Sequence, residues 1–431
     1  MRTVGIGILG LGTVGTGVVD GLSRQVELLS KRLGVRLETR RIADLDITTD
    51  RGLALDPALL TRDAEAVIRD PSVEVVVELI GGCDAARRLM LAAFKAGKPV
   101  VTANKKLLAE HGEEIFDQAA NAGVELGFGA SVGGGIPIIR ALREGLVGSR
   151  IETVLGILNG TCNYILTRME REPLSFEEVL IEAQRAGYAE ADPALDVDGF
   201  DTAHKAAILA ALAYGVHPPL QAIPVDGIRG IAGMDVRFAL ELGYRVKLLA
   251  AISLDRESLS IRVQPTLVSL DHVLAAVQDT YNAVMVRGDL CGDTLYYGRG
   301  AGRNPTANTV IADIADVALN LASPGPRRPR AIARADGPLP LSSPDAWTSR
   351  YYLRLSVLDR AGSFARIANA LGSHGVSIAS VMQKDEKQEG RFVPVVVLTH
   401  DTTAGAIQAA LADIAAMEII DTLPARMPIL F

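Results

Sequence analysis

The densest group of ionisable side chains in the sequence lies between residues 187 and 205, which read GYAEADPALDVDGFDTAHK. Its carboxylates are Glu190, Asp192, Asp196, Asp198 and Asp201. Asp201 and Lys205 are four residues apart, so in a helix both lie on one face near its N-terminus, and the apolar run 206–216 predicts that this helix is largely buried. Carboxylates suit the binding of an ammonium group, and a lysine at the edge of a buried helix can act as a general acid or base. The alternative is an ordinary surface pair, worth about 0.2–0.5 kcal/mol.

A glycine-rich turn near the start of the sequence suits the binding of phosphate groups. Residues 10–15, GLGTVG, follow the apolar run TVGIGIL and precede a stretch with helical apolar spacing. In this context GxGxxG lets the backbone approach a pyrophosphate, whose charge meets unpaired N–H groups at a helix N-terminus; the alternative is a tight turn alone. Asp44 or Asp46, after the second strand, can hold a ribose hydroxyl, whereas Arg40 and Arg41 can meet a 2′-phosphate. The sequence therefore indicates a dinucleotide and does not choose between NAD and NADP.

Three other segments offer polar or backbone groups to a ligand. Residues 102–106, TANKK, end a strand at the carboxyl edge of the predicted sheet, where open α/β folds bind their ligands. Lys105 or Lys106 is therefore a candidate site residue, with a solvated strand end as the alternative. The glycine clusters at 129–137 and 298–306 can line a ligand or an ion, or act as hinges between domains.

The elements that position these groups alternate between strand and helix over the first 130 residues. Apolar runs at 3–10 and 73–80 predict strands, the second buried on both faces, and an Ala-rich helix at 85–96 leads to a strand at 98–102. This alternation predicts an α/β fold with a doubly wound, Rossmann-type parallel sheet. The middle of the chain mixes glycine-rich turns, helices and longer strands such as 260–268, which indicates an α+β domain.

The sequence after residue 320 shows a different pattern. A proline-rich stretch at 321–343 with Arg327, Arg328 and Arg330 is typical of a linker, and the arginines are interpreted as a solvated surface loop. Beyond it, the periodicities predict a ferredoxin-like βαββαβ module. Its predicted elements are a strand at 351–357, a helix at 364–371, strands at 376–382 and 392–398, a helix at 407–414 and a short strand at 418–421.

We predict four segments. They are a dinucleotide-binding domain at 1–130, completed by about 301–320; a catalytic and substrate-binding domain at 131–300; a linker at 321–349; and a regulatory module at 350–431.

The composition excludes several classes of protein. Hydrophobic residues at 48% and charged residues at 22% are typical of a folded, water-soluble protein. The net charge of −7 disfavours a nucleic acid partner. Cys83, Cys162 and Cys291 have no metal-ligand spacing, so we expect reduced thiols. The apolar stretch 206–216 is too short to span a bilayer and no cationic leader is evident, so we expect a cytoplasmic protein without a membrane partner.

Six ordered motifs together resemble the homoserine dehydrogenases. They are GLGTVG, TANKKLL, ASVGGGIPI, GILNGTCNYIL, AGYAEADPALDVDGFDTAHKAAIL and YGRGAGRNPTA. The resemblance covers the chain to about residue 320, and the terminal βαββαβ module is similar to the ACT domain of many bacterial members. It implies NAD(P)-dependent interconversion of L-homoserine and L-aspartate 4-semialdehyde in threonine and methionine biosynthesis, in a homodimer or homotetramer.

The resemblance also implies roles for matching residues. Lys205 would donate the proton and Lys105 would be a second essential lysine. The substrate would be held by Glu190, Asp196, Asp201, Gly160, Thr161 and Tyr188. The dinucleotide would contact Gly10, Gly12, Thr13, Val14, Gly15, Asp44, Thr102, Ala103, Lys105, Gly187 and Gly302. Hydride transfer belongs to the cofactor, so such an enzyme must position two reactants and handle one proton, which is a task that suits a lysine.

Two departures from the family pattern stand out. Gly129 replaces a glutamate that often binds a structural sodium ion, although the backbone carbonyls of Val132, Gly134 and Ile136 remain available as ligands. The usual Asp-x-Pro-Gly turn of the ACT module reads DRAG at 359–362, and we expect the turn to survive because glycine supplies its dihedral freedom. The ACT resemblance implies feedback by a pathway amino acid, with threonine as the first candidate.

Two rival functions remain at this point. Cys162, in NGTCN, would be the nucleophile of an aspartate-semialdehyde dehydrogenase acting through a thiohemiacetal. No histidine accompanies it in the motif, which favours a small buried thiol instead. From a different class, the chain would be a non-catalytic amino-acid sensor built on a dinucleotide-binding core, a function that the lysine–carboxylate group disfavours.

Overall fold

The computed structural model describes residues 1–255, 258–322, 337, 339–383, 391–422 and 424–430. Its strands are β1 Arg2–Leu9, β2 Val35–Ala43, β3 Leu60–Thr61, β4 Val75–Glu78, β5 Val100–Thr102, β6 Leu126–Gly127, β7 Ile151–Ile157, β8 Tyr244–Asp255, β9 Ser258–Ser269, β10 Tyr281–Gly288, β11 Gly292–Arg299, β12 Thr348–Leu358, β13 Ile378–Gln383, β14 Phe392–Thr399, β15 Thr402–Thr403 and β16 Ala425–Leu430.

The helices follow the same chain order. They are α1 Thr13–Arg24, α2 Val26–Leu33, α3 Ala64–Arg69, α4 Asp84–Lys95, α5 Lys105–Ala122, α6 Ile138–Arg140, α7 Gly160–Arg171, α8 Phe176–Arg185, α9 Ala194–Val197, α10 Phe200–Tyr214, α11 Gly233–Glu241, α12 Arg303–Ala322, α13 Ser363–Ser373 and α14 Ala404–Ala415.

The chain divides into two compact units. The first comprises residues 1–158, 204–222 and 281–338, and the second comprises 159–203, 223–280 and 339–431. The four segments given by the sequence stay a prediction. The arginines at 327, 328 and 330 lie outside the described residues.

The first unit contains a six-stranded parallel sheet in the order β3-β2-β1-β4-β5-β6. This is the Rossmann order, in which the two halves of the sheet diverge between β1 and β4. The predicted doubly wound sheet is therefore confirmed. The run 73–80 predicted the buried strand β4, whose four residues are all inaccessible to solvent, because both faces of a parallel sheet are covered.

Helix α12 packs against this sheet although it is distant in sequence. Its apolar face, including Val310 and Ile314, belongs to the same buried cluster as Ile6 and Val18. A side-chain carbon at Gly17 of α1 would lie 2.9 Å from Arg303 and 3.0 Å from Ala307, so glycine allows the two helices to approach closely. The same unit holds an antiparallel group of strands in the order β11-β10-β7.

The second unit contains the ACT module, in which β12, α13, β13, β14, α14 and β16 follow the predicted βαββαβ order. Its strand β16 pairs antiparallel with β12 and parallel with β9, so the module shares a sheet with the preceding domain. The predicted last strand at 418–421 is wrong. Ile420 makes only an isolated bridge to Val357, and the closing strand is 425–430.

None of the helices in the described part of the chain combines the length and apolarity needed to cross a membrane.

Candidate active site

An asparagine joins two of the predicted substrate carboxylates in the second unit. Asn159 caps α7, and its side-chain oxygen accepts a hydrogen bond of 2.8 Å from the N–H of Cys162. Its Nδ2 donates to Asp196 Oδ1 at 2.7 Å and to Asp201 Oδ2 at 3.0 Å. Asp201 is only 2% exposed. One side chain therefore fixes both carboxylates relative to the first turn of α7, and sequence inspection did not single it out.

The neighbouring residues extend this group towards solvent. The Thr161 hydroxyl donates to Tyr188 O at 2.7 Å and approaches Asp196 Oδ2 at 3.4 Å. The Tyr188 ring packs on Tyr164 with 5.0 Å between centroids and is about half exposed. Gly160 is the first residue of α7. The structure thus brings Asp196, Asp201, Thr161 and Tyr188 together.

Two other predicted residues lie beside this group without joining it. Glu190 is exposed, and its main-chain carbonyl accepts a 3.0 Å hydrogen bond from Gln184 Nε2. Gly187 follows α8 with a φ of +74°, which glycine adopts without strain.

Lys205 lies in α10, one turn after Asp201, and is 7% exposed. Its Nζ donates to the backbone carbonyl of Leu158 at 2.6 Å, within the first unit. A buried ammonium group is costly unless it is hydrogen-bonded. Lys205 is therefore held in a defined position rather than solvated.

The glycine-rich loop has the geometry that a pyrophosphate needs. Gly10 has a φ of +99°, and a Cβ there would lie 2.6 Å from Leu79 O, while a Cβ on Gly15 would lie 2.1 Å from Gly10 O. Gly12 caps α1 without a side-chain hydrogen bond, so the N–H groups of the first turn remain available to an anion. A cleft here is lined by Leu11, Gly12, Thr13, Thr16, Arg51 and Arg303. The residues present fit a dinucleotide.

The charged residues near this loop are distributed differently from the sequence-based expectation. Asp44 accepts hydrogen bonds from the N–H groups of Leu11 and Asp46, so its carboxylate also holds the loop in place. Arg41 pairs with Asp70 at 2.9 Å and Arg40 pairs with Glu38 at 2.8 Å.

Arg51 lines the cleft instead, with its guanidinium 3.5 Å from Asp44 Oδ1. The sequence analysis did not identify Arg51 because this residue lies in an irregular loop, where residue spacing does not predict which way a side chain points.

The strand-end segment around residue 104 is organised by buried polar groups. The Thr102 hydroxyl donates to Glu78 Oε2 at 2.7 Å, and burial raises the pKa of the Glu78 carboxyl. Asn104 caps α5 by accepting from the N–H of Leu107 and donates to Gly82 O. Lys105 begins α5 and is half-buried, whereas its neighbour Lys106 is exposed and pairs with Glu110 on the surface. Of the two lysines, Lys105 is the more buried.

A buried lysine that the sequence analysis did not identify donates a hydrogen bond to a side chain of α7. Lys247 of β8 is 1% exposed and donates to Asn163 Oδ1 at 2.9 Å and to Val277 O. Burial lowers its pKa to about 7. The only signal in the sequence is a single charge inside the apolar run of a strand.

Cys162 is fully buried in the first turn of α7, and its Sγ donates to Asp196 O at 3.2 Å. An enclosed thiol cannot reach a carbonyl carbon, so the environment favours the packing interpretation over the nucleophile.

The loop considered for sodium contains a carboxylate from another element. The Gly129 N–H donates to Asp313 Oδ2 at 2.8 Å, and a Cβ on residue 129 would lie 2.9 Å from Asp313 Oδ1. Burial raises the pKa of Asp313 to about 6. Gly134 O accepts a hydrogen bond from the Thr309 hydroxyl. The Ile136 carbonyl likewise accepts from the N–H of Ile138 at 2.8 Å. Backbone carbonyls and a carboxylate are the type of oxygen ligand that a hard cation prefers.

A Rossmann-order sheet with an uncapped glycine loop, in a chain that also holds a buried lysine, defines the class of NAD(P)-dependent oxidoreductases. Family models agree with this class. The model for the NAD-binding domain of homoserine dehydrogenase matches residues 10–128, the homoserine dehydrogenase model matches 137–315 and the ACT domain model matches 351–416. The chain belongs to the homoserine dehydrogenase family.

Individual relatives match over nearly the whole chain. The homoserine dehydrogenase of Pseudomonas aeruginosa is 42% identical over 97% of this chain and 96% of its own length. The crystal structure of a homoserine dehydrogenase from Thiobacillus denitrificans superposes with a TM-score of 0.92 at 42% identity, covering 100% of this chain and 99% of that one. A hyperthermophilic archaeal homoserine dehydrogenase in complex with NADPH has a TM-score of 0.63 at 26% identity, covering 76% of this chain and all of that one. These relatives exclude the aspartate-semialdehyde dehydrogenase and sensor alternatives.

Proposed function

We propose that Lys205 is the acid–base residue in the reversible interconversion of L-homoserine and L-aspartate 4-semialdehyde, a step towards threonine and methionine. The observation that carries the proposal is that Asn159 donates hydrogen bonds to both Asp196 and Asp201. Asp201 lies one helical turn before the buried Lys205. This arrangement couples carboxylates that suit an α-ammonium group to a proton donor.

The bound nicotinamide supplies or accepts the hydride. The protein supplies the rest. During reduction of the semialdehyde, negative charge develops on the aldehyde oxygen, and the Lys205 ammonium stabilises that charge and donates the proton. In the oxidation direction the Lys205 amine accepts the proton of the hydroxyl group. Lys105 is the second essential lysine.

The substrate end is proposed to use the remaining predicted residues. Asp196, Asp201 and Glu190 neutralise and orient the α-ammonium group, and Thr161, Gly160 and Tyr188 line the amino-acid end. Glu190 is exposed, so its contribution requires it to turn towards the substrate. Gly187 and Gly302 supply backbone next to the cofactor.

For the cofactor, we propose NADP, held through its pyrophosphate at residues 10–15 and through its 2′-phosphate by Arg51. The cleft position of Arg51 supports this assignment. Its contacts with Asp44 and Asp46, at 3.5 and 3.6 Å, are also longer than the pairs that Arg40 and Arg41 make at 2.8 and 2.9 Å. Asp44 then keeps the loop in place and contacts the ribose. Thr102, Ala103 and Lys105, at the end of β5, would contact the bound cofactor.

Arg51→Gln is expected to lower kcat/KM for NADP by about 10–100-fold, which is the cost of losing one charge-assisted contact, and to leave kcat/KM for NAD nearly unchanged. Initial rates of homoserine oxidation with NAD and NADP side by side measure this. Arg41→Gln is the matched control and should not change the NADP/NAD ratio. An equal loss with both cofactors would reject the role of Arg51. If neither reduced cofactor forms in a homoserine-dependent manner, the proposed reaction itself is wrong.

We also propose a sodium site at the carbonyls of Val132, Gly134 and Ile136, with Asp313 providing the negative charge that residue 129 lacks. A ligand that binds only the folded state raises its stability by an amount set by concentration over Kd. Replacing choline chloride by sodium chloride at constant ionic strength should therefore raise the melting temperature. The rise should be about 2–4 °C for each kcal/mol by which sodium binding stabilises the folded state.

Asp313→Asn should abolish that sodium-dependent increase. Asp316→Asn is the control, since it removes a carboxylate from the same helix that pairs with Arg140 instead. Equal melting temperatures of the unmodified protein in sodium and choline would eliminate the site.

The remaining proposals follow the family. We propose that the enzyme is a homodimer or homotetramer in the cytoplasm and that threonine regulates it through the ACT domain.

A further inference from the structure

A second arginine lines the cofactor cleft beside the glycine-rich loop. Arg303 is the first residue of α12, and it lies in the same cleft as Gly12, Thr13 and Arg51. Arg303 and the loop are far apart in sequence, so only the fold brings them together. The contacts proposed above for the pyrophosphate and the 2′-phosphate do not involve this side chain.

The Arg303 guanidinium has no counter-charge within the described part of the chain. Its Nε is buried without a hydrogen-bond partner, and none of the described carboxylates lies within ion-pair distance of the side chain. Arg51, in the same cleft, has Asp44 at 3.5 Å and Asp46 at 3.6 Å. Leaving a buried donor without an acceptor costs free energy. The geometry therefore indicates that a ligand supplies the acceptor for Arg303.

The Arg303 side chain lies beside the first turn of α1. A Cβ on Gly17 would be 2.9 Å from Arg303 Cγ, so the aliphatic stem packs on this glycine. The side chain also lines the cleft with Thr13, one helical turn before Gly17. Gly12 leaves the N–H groups of that turn without a side-chain cap. Arg303 is thus next to the place where a GxGxxG loop binds a pyrophosphate.

The first turns of α1 and α12 leave the charge of Arg303 unopposed. Neither turn contains an acidic residue. The dipole of a helix disfavours a cation at its N-terminus, so Arg303 does not stabilise the helix that it begins. An anion beside α1 would accept hydrogen bonds from the guanidinium and from the backbone N–H groups together, and arginine binds phosphate oxygens with two parallel N–H groups.

We propose that Arg303 binds the pyrophosphate of the dinucleotide, while Arg51 binds the 2′-phosphate. Arg51 approaches Asp44, which follows β2 at the end where this fold binds the ribose, whereas Arg303 lies against α1. Arg303 therefore contacts the part that NAD and NADP share, and Arg51 contacts the part in which they differ. The proposal rests on the cofactor site proposed above and adds a residue from α12 to it.

Binding measurements on the full-length enzyme test this assignment without relying on turnover. In fluorescence titrations, Arg303→Gln should raise the Kd of NADPH and that of NADH by the same factor, about 10–100-fold, as expected for one charge-assisted contact. Arg303→Lys keeps the charge and should recover part of the loss; it also gives the comparison if the glutamine variant does not fold. Arg24→Gln is the matched control, since it removes an exposed cation from the last turn of α1 and should leave both Kd values unchanged.

Two fragments of the cofactor separate the two phosphate contacts. ADP-ribose contains the pyrophosphate without a 2′-phosphate, and adenosine 2′-monophosphate contains the 2′-phosphate without a pyrophosphate. In competition with NADPH, Arg303→Gln should weaken only ADP-ribose, whereas Arg51→Gln should weaken only adenosine 2′-monophosphate. Full affinity for ADP-ribose in Arg303→Gln, or a loss of affinity for adenosine 2′-monophosphate, would overturn the proposal. Homoserine oxidation by the unmodified enzyme tests the reaction separately, so failure of this contact and failure of the proposed function are distinguishable.

Discussion

Replacing Lys205 by alanine should lower kcat for homoserine oxidation by about 10²–10⁴-fold, the usual contribution of a general acid–base group. Lys205 is 7% exposed and its Nζ donates a hydrogen bond to Leu158 O, so neither bulk water nor a mobile neighbour substitutes for it easily. Because the role proposed for Lys205 is at the reacting oxygen, the loss should appear mainly in kcat. NADPH binding, measured by fluorescence, should remain close to that of the unmodified enzyme.

Lys106→Ala provides the matched control for this experiment. Lys106 is an exposed lysine that pairs with Glu110 at 3.8 Å, so its loss should change kcat by less than about twofold. Lys205→Ala protein that is folded, binds NADPH and turns over at the unmodified rate would remove Lys205 from the mechanism.

The fold was predictable where local pattern and burial agree. Strands β4 and β5 of the first unit are inaccessible on both faces, so they appear in the sequence as apolar runs, and Gly10 and Gly15 are required by close backbone contacts. The last strand of the ACT module was placed too early. Its true segment contains Pro428 and follows Pro424, which argue against a strand, yet pairing with both β12 and β9 stabilises it.

The sequence predicted which residues form the candidate site, but not which of them contact each other. Lysines and carboxylates at helical spacing identify Asp201 and Lys205, because that relation is local. The amide of Asn159 lies 37 residues from Asp196 in sequence and 42 from Asp201, so only the fold reveals their contact. The sequence did not predict the role of Lys247 for the same reason, because its hydrogen-bond acceptors come from α7 and from the segment after β9. Polar contacts between residues that are far apart in sequence leave no periodic pattern from which they could be predicted.

A buried ion pair connects the ACT module to the preceding domain. Asp235 of α11 is 0% exposed and accepts hydrogen bonds from Arg354 Nε at 2.6 Å and Nη2 at 3.1 Å. It also accepts from the Tyr352 hydroxyl at 2.9 Å and from the N–H of Ala232 at 2.9 Å. If the Asp235 carboxylate were removed, all of these donors would lose their acceptor.

Asp235→Ala is therefore expected to destabilise this unit by about 3–5 kcal/mol, because it leaves the Arg354 guanidinium buried without a counter-charge. Urea unfolding followed by circular dichroism measures the change. Adding Arg354→Met to Asp235→Ala should recover part of the loss, since the uncompensated charge is then gone, whereas two independent contacts would give additive losses. Arg366→Met is the control, because its pair with Glu418 is exposed and should contribute less than about 1 kcal/mol. A loss in Asp235→Ala as small as that of the control would show that the pair does not hold the module in place.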